Sequence, residues 1–172
     1  GLPGISPATA LVCTDKITQY NILREGGIPI PRTKNCSSQM EVKELGKEWG
    51  YPIVIKPTDL AGAKGIRKIR SQKEITQGIQ YALASETKSK EFIIQECLRG
   101  SEHSIEAVVY KGKILVTGFS DRMYEYEKYD PFFVERGDIL PTALKTNEYK
   151  KLAEVFRKAV KSIGIENGVA KA

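Results

Sequence analysis

The stretch Gly50-Tyr51-Pro52-Ile53-Val54-Ile55-Lys56-Pro57 carries the strongest fold signals in the chain, because it joins a helix end to a short strand. Ile53-Val54-Ile55 is wholly apolar and β-branched, which is typical of a buried strand. Gly50 ends the preceding helix, and Pro52 prevents its continuation. Lys56 closes the strand, and because lysine is rarely buried without a partner, its side chain either reaches solvent or serves as a fixed positive charge.

Helix and strand signals alternate on both sides of this strand. Two capping-box patterns, Ser38-Gln39-Met40-Glu41 and Ser71-Gln72-Lys73-Glu74, each predict the start of a helix. Thr14 is the predicted N-cap of a helix over residues 15–24, and apolar spacing predicts a last helix that ends at Gly164. Further strands are predicted at residues 66–70, 92–94, 104–110, 113–119 and 165–172, with no obvious partner for the last one. Residues 120–145 are predicted to be irregular, and the predicted fold class is α/β (α+β).

The composition is that of an ordinary globular protein. Of the 172 residues, 41% are hydrophobic and 28% are charged, which excludes a disordered tail and a disulfide-stapled miniprotein. No apolar run approaches the roughly 18 residues of a membrane span, so no membrane partner is expected. The net charge of +6 is spread over interleaved acids and bases. This pattern favours a solvated surface over a nucleic-acid interface.

Cysteine and histidine are too few for several kinds of site. The three cysteines, Cys13, Cys36 and Cys97, have no CxxC spacing, which argues against zinc and redox motifs and for reduced thiols in a cytoplasmic protein. His103 is the single histidine of the sequence. A Ser-His-Asp or zinc-histidine site therefore has little to draw on.

Four local features are candidates for chemistry, although each also has a purely structural explanation. Lys16 lies in the first turn of a predicted helix, where its charge is either offset by Asp15 or directed at an anion. Lys56 at the strand end is the second feature. The third is the loop 59–65, whose glycines allow backbone N–H groups to approach phosphate oxygens. The fourth is the connection 95–102, whose backbone can offer an acceptor and a donor to an adenine edge; an ordinary strand connection is the alternative.

The order and spacing of these features resemble the ATP-grasp superfamily of carboxylate ligases over nearly the whole chain. The matching segments are Thr14-Asp15-Lys16, Gly27-Ile28-Pro29-Ile30-Pro31, the stretch 50–57, Ala61-Gly62-Ala63-Lys64-Gly65 and Gln95-Glu96-Cys97-Leu98-Arg99-Gly100-Ser101-Glu102. The resemblance implies a lid lobe with a mainly antiparallel sheet and helices, followed by part of a larger core lobe. Residues 1–14 are expected to be the tail of a preceding domain, 15–100 the lid lobe, and 101–172 the first part of the large lobe.

The resemblance also implies a phosphate-binding role for two lysines and a loop. Lys16 and Lys56 match the positions of the family's two phosphate-binding basic residues. Gly62, Lys64 and Gly65 match the mobile loop that closes over the triphosphate of ATP. ATP is therefore the expected nucleotide.

Adenosine binding is implied for the connection between residues 95 and 102. Glu96 and Leu98 match the positions whose backbone groups hold adenine, with Cys97 between them. Glu102 matches the acidic residue that binds the ribose. Gln95 departs from a glutamate often found at its position, and its amide oxygen retains the ability to accept a hydrogen bond from the adenine amino group.

Residues 133–138, Phe133-Val134-Glu135-Arg136-Gly137-Asp138, resemble two different family segments. One is the His-Thr-Gly-Asp of carbamoyl phosphate synthetases, with Glu135 in the histidine place. The other is the Phe-Val-Glu of amino-acid ligase-like members, with Asp138 where these often carry histidine. Arg122, Glu135 and Arg136 are candidate substrate contacts by charge and position, and surface residues are the alternative. The substrate class stays open at this point.

The family's magnesium ligands, a Glu and then a Glu-x-Asn segment, are expected after Ala172, so no metal ligand is expected within this chain. We therefore expect a piece of a longer protein that is inactive alone. The resemblance implies the ATP-binding portion of a ligase, dependent on ATP and Mg²⁺ and similar to carbamoyl phosphate synthetase. Such a ligase activates a carboxylate, bicarbonate or carbamate as an acyl phosphate for attack by an amine. An amino-acid ligase-like enzyme and a non-catalytic nucleotide-binding module are the alternatives.

Overall fold

The computed structural model describes residues 3–84 and 86–172, which form two four-stranded antiparallel sheets with helices. The helices are α1 (Pro7–Thr14), α2 (Lys16–Glu25), α3 (Gln39–Trp49), α4 (Ile75–Ala84), α5 (Tyr126–Tyr129) and α6 (Thr146–Ile163). The strands are β1 (Thr33–Cys36), β2 (Ile53–Pro57), β3 (Arg67–Ile69), β4 (Phe92–Glu96), β5 (His103–Tyr110), β6 (Lys113–Tyr124), β7 (Glu135–Ile139) and β8 (Gly168–Lys171). No helix in the described ranges is long and apolar enough to cross a membrane.

The first sheet has the order β1-β4-β2-β3 and buries one face under α3 and α4. Alternate residues of its strands, including Ile53, Ile55 and Ile94, enter this core because successive side chains point to opposite faces. The other face carries Val54, Lys56 and Gln95, so the predicted lysine lies on the side away from the helices. The apolar strand at residues 53–55 is confirmed and extends to Pro57.

The second sheet has the order β7-β6-β5-β8 and packs one face against α6. Ile105, Ala107 and Val109 of β5 share a buried core with the apolar stripe of this helix, which the spacing of the sequence predicted. Gly164 ends α6 with φ +80°, a left-handed conformation that glycine adopts without strain. The strand near the C-terminus was expected to have no obvious partner, but β8 pairs with β5, with Ala170 opposite Ala107.

The N-terminal helices differ in detail from the prediction. Thr14 ends α1, and the side chain of Asp15 caps α2 by accepting a hydrogen bond from Thr18 N at 2.7 Å. Thr14 is therefore not the N-cap of α2, because the carboxylate one residue later takes this role. Both α1 and α2 contact α6, and Thr9 Oγ1 donates to Gly164 O at 3.0 Å. The proposed lobe boundaries remain a prediction.

One of the two capping boxes forms as predicted and the other does not. Ser38 and Glu41 cap α3 reciprocally. At the second pattern, Ser71 makes no capping hydrogen bond, and Gln72–Glu74 form a 3₁₀ turn before α4. The Glu74 carboxylate instead accepts a hydrogen bond from Arg70 N at 3.1 Å. The second capping box therefore does not form, and the Glu74 carboxylate binds the backbone one residue before Ser71.

Residues 120–145 are more regular than the sequence indicated. Strand β6 continues to Tyr124, and the chain then forms α5 and returns as β7. Polar contacts hold this hairpin together, such as Ser120 Oγ donating to Asp138 at 2.8 Å. The prediction of an irregular segment was wrong because these strands pair through polar groups and lack a clear apolar alternation.

Candidate functional site

An open cleft of about 1470 Å³ lies between the two sheets. The helix-free face of the first sheet, the glycine loop and the connection from β4 to β5 form three of its sides. The fourth side is formed by Arg122, Tyr124 and residues 132–135. A cleft of this size is ample for a nucleotide, since small-molecule sites commonly measure about 300–1,000 Å³.

Lys56 reaches this cleft from the end of β2, on the face opposite the helices. Burial lowers its pKa to about 8, and the nearby Glu102 carboxylate acts in the opposite direction. Within the described ranges, the Lys56 ammonium makes no hydrogen bond and no ion pair. It is therefore a largely buried cation directed into the cleft without a bonded counter-charge.

Lys16 lies close to Lys56, at the start of α2. Its backbone N–H donates to Thr58 O at 3.2 Å, and its ammonium donates to Leu60 O. Burial lowers the pKa of Lys16, and the positive charge of Lys56 lowers it further. The two ammonium groups are thus near enough to repel each other, although Lys16 is held by the loop carbonyl and does not line the cleft itself.

The glycine loop forms one wall of the cleft. Gly62, Ala63 and Gly65 all have positive φ values, of +67°, +59° and +72°. Gly62 and Lys64 line the cleft, whereas Gly65 is buried beneath the loop. Lys64 forms an exposed ion pair with Glu86 at 3.2 Å. Exposed ion pairs contribute little to stability, so Lys64 can exchange Glu86 for another partner.

The connection after β4 offers backbone groups to the cleft. Among the described residues, Cys97 and Leu98 make no backbone-to-backbone hydrogen bond, and both line the cleft. The Glu96 carboxylate is turned towards Arg32, which it binds at 2.8 Å through N–H and 2.9 Å through Nε. The Glu96 N–H is also used, since it donates to Arg32 O at 3.0 Å. Glu96 is thus locked in place while the next residues keep their peptide groups available.

Gln95 is buried on the cleft side of β4, with its amide already engaged. Its Nε2 donates to Thr33 Oγ1 at 2.9 Å, and the amide also hydrogen-bonds with Tyr20, whose pKa is raised mainly by burial. This arrangement fixes the orientation of the amide. Neither Thr33 nor Tyr20 was singled out from the sequence.

Glu102 faces Lys56 and Arg122 across the cleft. Burial raises the pKa of the Glu102 carboxyl, whereas the positive charges of Arg122 and Lys56 lower it. The backbone fixes Glu102 next to Arg122, because Arg122 N donates to Glu102 O at 2.9 Å. The structure therefore brings the predicted ribose residue and one predicted phosphate residue into the same site.

The candidate substrate arginines are paired with acids of the protein. Arg122 forms an ion pair with Glu135, and both residues line the cleft. Arg136 forms an ion pair with Glu125 and is not part of the cleft wall. The three candidates are thus not brought together, and Arg136 points to a different neighbour.

Four residues that line the cleft gave no separate signal in the sequence: Lys68, Arg70, Tyr81 and Phe132. Lys68 and Arg70 of the β3 edge both form ion pairs with Asp130, the former at 3.2 Å. Lys68 N also donates to Pro131 O at 2.9 Å, and Phe132 packs against Tyr81 with ring centroids 5.0 Å apart. The i, i+2 spacing of Lys68 and Arg70 is a signal that could have placed them on one face of a strand.

The ATP-grasp domain family matches residues 13–170 of this chain. The chain belongs to the ATP-grasp family. VanG D-Ala:D-Ser ligase from Enterococcus faecalis has the same fold over 98% of this chain and 50% of its own, with a TM-score of 0.84 and 18% identity. The family resemblance and the α/β (α+β) fold class with mainly antiparallel sheets are therefore confirmed.

Sequence relatives include more than one kind of ligase. A D-alanine–D-alanine ligase from Pseudomonas putida is 22% identical over 170 residues, which cover 96% of this chain and 52% of that protein. A carbamoyl phosphate synthase large chain from Deinococcus radiodurans is 23% identical over 121 residues, or 70% of this chain and 12% of that protein. The chain thus spans about half or less of the length of these relatives.

A magnesium site does not form from the described residues alone. Within residues 3–84 and 86–172, no group of three Asp, Glu, His or Cys side chains is placed to hold a metal ion. Two acids at the cleft are already paired, Glu96 with Arg32 and Glu135 with Arg122. These residues therefore do not fit the ion by themselves, and the expectation of ligands after Ala172 stays a prediction.

Proposed function

We propose that the cleft binds ATP, with the triphosphate at Lys56 and the glycine loop. The observation that carries this proposal is the Lys56 ammonium, largely buried and without a bonded counter-ion in the described chain. A polyphosphate supplies the missing negative charge, and its oxygens accept hydrogen bonds from the ammonium. Lys16 adds a second positive charge close by.

The rest of the nucleotide fits the remaining sides of the cleft. The peptide groups of residues 96–98 lie at the edge where adenine requires an acceptor and a donor. Glu102 is placed to accept hydrogen bonds from ribose hydroxyls, while its carboxylate remains near Lys56. We expect the loop with Gly62 and Lys64 to approach phosphate oxygens through backbone N–H groups, because turns that contain left-handed residues can form concavities lined by N–H groups.

For the whole protein we propose an ATP-dependent ligase that joins a carboxylate to an amine. The γ-phosphoryl group of ATP passes to the carboxylate oxygen, which leaves ADP and an acyl phosphate. The amine then attacks the acyl carbon and displaces inorganic phosphate to form the amide bond. In this chain, Lys16, Lys56 and the loop position the phosphates and neutralise their charge, which is the main protein contribution to such transfers.

The carboxylate substrate is proposed to be small, and two classes remain to be compared. Carbamoyl phosphate synthetase-like chemistry on bicarbonate or carbamate was the expectation from the sequence. The D-alanine–D-alanine ligase match, which covers 96% of this chain against 70% for the carbamoyl phosphate synthase match, supports an amino-acid substrate as the alternative. The chain alone is expected to bind ATP weakly and not to turn over.

Calorimetric titration of this chain with MgATP and with MgGTP tests nucleotide binding. We expect ATP to bind more tightly than GTP, because an acceptor–donor pair of backbone groups matches adenine and not guanine. Equal affinity for both nucleotides would contradict the adenine site, and no binding of either would refute the proposed function.

The substrate class is tested on the full-length protein by ATP-dependent ADP release. Release stimulated by amino acids such as D-alanine supports an amino-acid ligase, and release stimulated by bicarbonate supports carbamoyl phosphate synthetase-like activity. ATP binding without ADP release for any carboxylate would identify a non-catalytic nucleotide-binding module.

A further inference from the structure

A chain of three hydrogen-bonded side chains lies next to the cleft, at the junction of the two sheets. Ser101 Oγ is 2.8 Å from His103 Nε2, and His103 Nδ1 is 2.8 Å from Asp121 Oδ1. Asp121 is anchored further by the Thr142 hydroxyl and by Ala143 N, which donates to Oδ2 at 2.8 Å. The sequence left a Ser-His-Asp arrangement little to draw on, and the fold nevertheless places the single histidine between a serine and an aspartate.

Strand geometry relates this arrangement to the cleft. His103 and Asp121 are paired residues of β5 and β6, on the face that carries the α6 core. Their neighbours Glu102 and Arg122 point the other way, because successive side chains of a strand alternate between faces. Glu102 and Arg122 are also joined through Arg122 N and Glu102 O. His103 and Asp121 therefore lie on the α6 face of the sheet, directly behind Glu102 and Arg122 on the cleft face.

We propose that His103 is a positioning residue that holds Glu102 in the cleft opposite Lys56. Ser101 and Asp121 hold the imidazole from two sides, so residues 101–103 cannot rotate about the strand axis. The connection 97–102 needs such an anchor, because Cys97 and Leu98 at its start make no backbone-to-backbone hydrogen bond in the described structure. The anchor therefore acts together with the hydrogen bond from Arg122 N to Glu102 O, and both keep the Glu102 carboxylate at the nucleotide site. The proposal concerns the cleft of the proposed function and deepens it.

The anchor retains both hydrogen bonds whether His103 is neutral or charged. A serine hydroxyl both donates and accepts, so Ser101 can donate to neutral Nε2 or accept from protonated Nε2. In both states Nδ1–H donates to Asp121. The charged or titratable groups around this small cavity of about 360 Å³ are Glu102, Asp121, Arg122, Tyr124 and Glu148.

A nucleophilic role of Ser101 is the competing interpretation of the same three residues. The Ser101–His103 contact is a local i, i+2 contact along an extended chain, which any serine and histidine at this spacing can make. Asp121 accepts from β5 and from residues 142–143, which is the pattern of a structural anchor. These observations favour positioning over covalent catalysis.

Titration of the Lys56 ammonium by NMR tests the proposal without any nucleotide. Glu102 raises the pKa of Lys56, so E102Q should lower that pKa. H103F removes both hydrogen bonds and should shift the Lys56 pKa in the same direction. H103N keeps a donor towards Asp121 and should restore most of the wild-type value. An unchanged Lys56 pKa in H103F, while E102Q shifts it, would overturn the proposal.

A double-mutant cycle on ATP affinity provides the second readout. H103F alone should weaken ATP binding about threefold to tenfold, and it should have no further effect in the E102Q background. Additive losses would show that His103 acts only through general stability, and thermal unfolding of each variant measures that stability. If the wild type fails to bind ATP, the proposed function is refuted, and the Lys56 titration still decides the role of His103. A p-nitrophenyl acetate burst abolished by S101A would overturn positioning in favour of a nucleophile.

Discussion

The two ends of the cleft carry similar cations in different electrostatic states. At the glycine-loop end, neither Lys16 nor Lys56 forms an ion pair with an acid of the described chain. Along the walls formed by Lys68, Arg70 and Arg122, here called the paired end, Arg122 is paired with Glu135, and Asp130 pairs with both Lys68 and Arg70. The first end is therefore ready for an anion, whereas the second is already neutralised. Counting basic residues in a cleft would not have distinguished them.

Removal of the Lys56 charge should have the largest effect on this contrast. K56M should weaken ATP binding about tenfold to a hundredfold, since a hydrogen bond to a charged group contributes about 1.5–3 kcal/mol. Thermal stability should not fall, because the variant removes a buried charge. The matched control is K34M on β1, an exposed lysine of the same sheet, which should leave ATP affinity unchanged. Comparable losses in both variants would indicate a nonspecific charge effect.

The pH dependence of ATP affinity should report the same ammonium. Burial lowers the pKa of free Lys56 to about 8, so the group is charged below this pH and becomes neutral above it. ATP favours the charged form, and its affinity should therefore fall about tenfold between about pH 7 and pH 9. K56R should flatten this profile, because arginine stays protonated throughout the range. A wild-type profile that rises with pH would contradict the assignment.

A substitution at the paired end should lower the stability of the protein. D130A removes the carboxylate shared by Lys68 and Arg70, and it should cost about 1–2 kcal/mol of unfolding free energy. For a chain of this length, the melting temperature should fall by about 2–8 °C in thermal unfolding. The control is E154A, because Glu154 of α6 is exposed. D138A in β7 is unsuitable, because Asp138 accepts a hydrogen bond from Ser120. If D130A and E154A had equal melting temperatures, the shared carboxylate of Asp130 would not contribute to stability.

Freeing one arginine at the paired end should have the smallest effect. E135Q removes the partner of Arg122 without changing the size of the side chain. The released guanidinium should strengthen ATP binding by about twofold to fivefold, in line with the modest energy of a partly exposed ion pair. Weaker ATP binding in E135Q would mean that the carboxylate itself serves the nucleotide.

The sequence predicted those helices and strands whose signals lie within a few neighbouring residues. The run at residues 53–55, the capping box at Ser38 and the stripe of α6 each reveal their element within one window. The partner of β8 could not be found in this way, because β5 lies about sixty residues earlier in the chain. The β6–β7 hairpin was missed for a related reason, since its stability depends on polar pairs such as Ser120 with Asp138.

The candidate site shows the same division. Lys56 and the glycine loop were predictable, because a lysine after an apolar strand and glycines in a loop are local patterns. The state of each charge was not, since it depends on which acid the fold brings near. Arg122 and Arg136 appeared equivalent in the sequence, yet one lines the cleft and the other binds Glu125 outside it.

Affinity measured for ATP, ADP and AMP in turn is the most direct test of the unpaired lysine end. Each added phosphate should increase the affinity of the wild type, and K56M should make the three affinities nearly equal, because the ammonium that discriminates between them is gone. Equal affinity of the wild type for ATP and AMP would show that the triphosphate does not lie at Lys56, and would contradict the account.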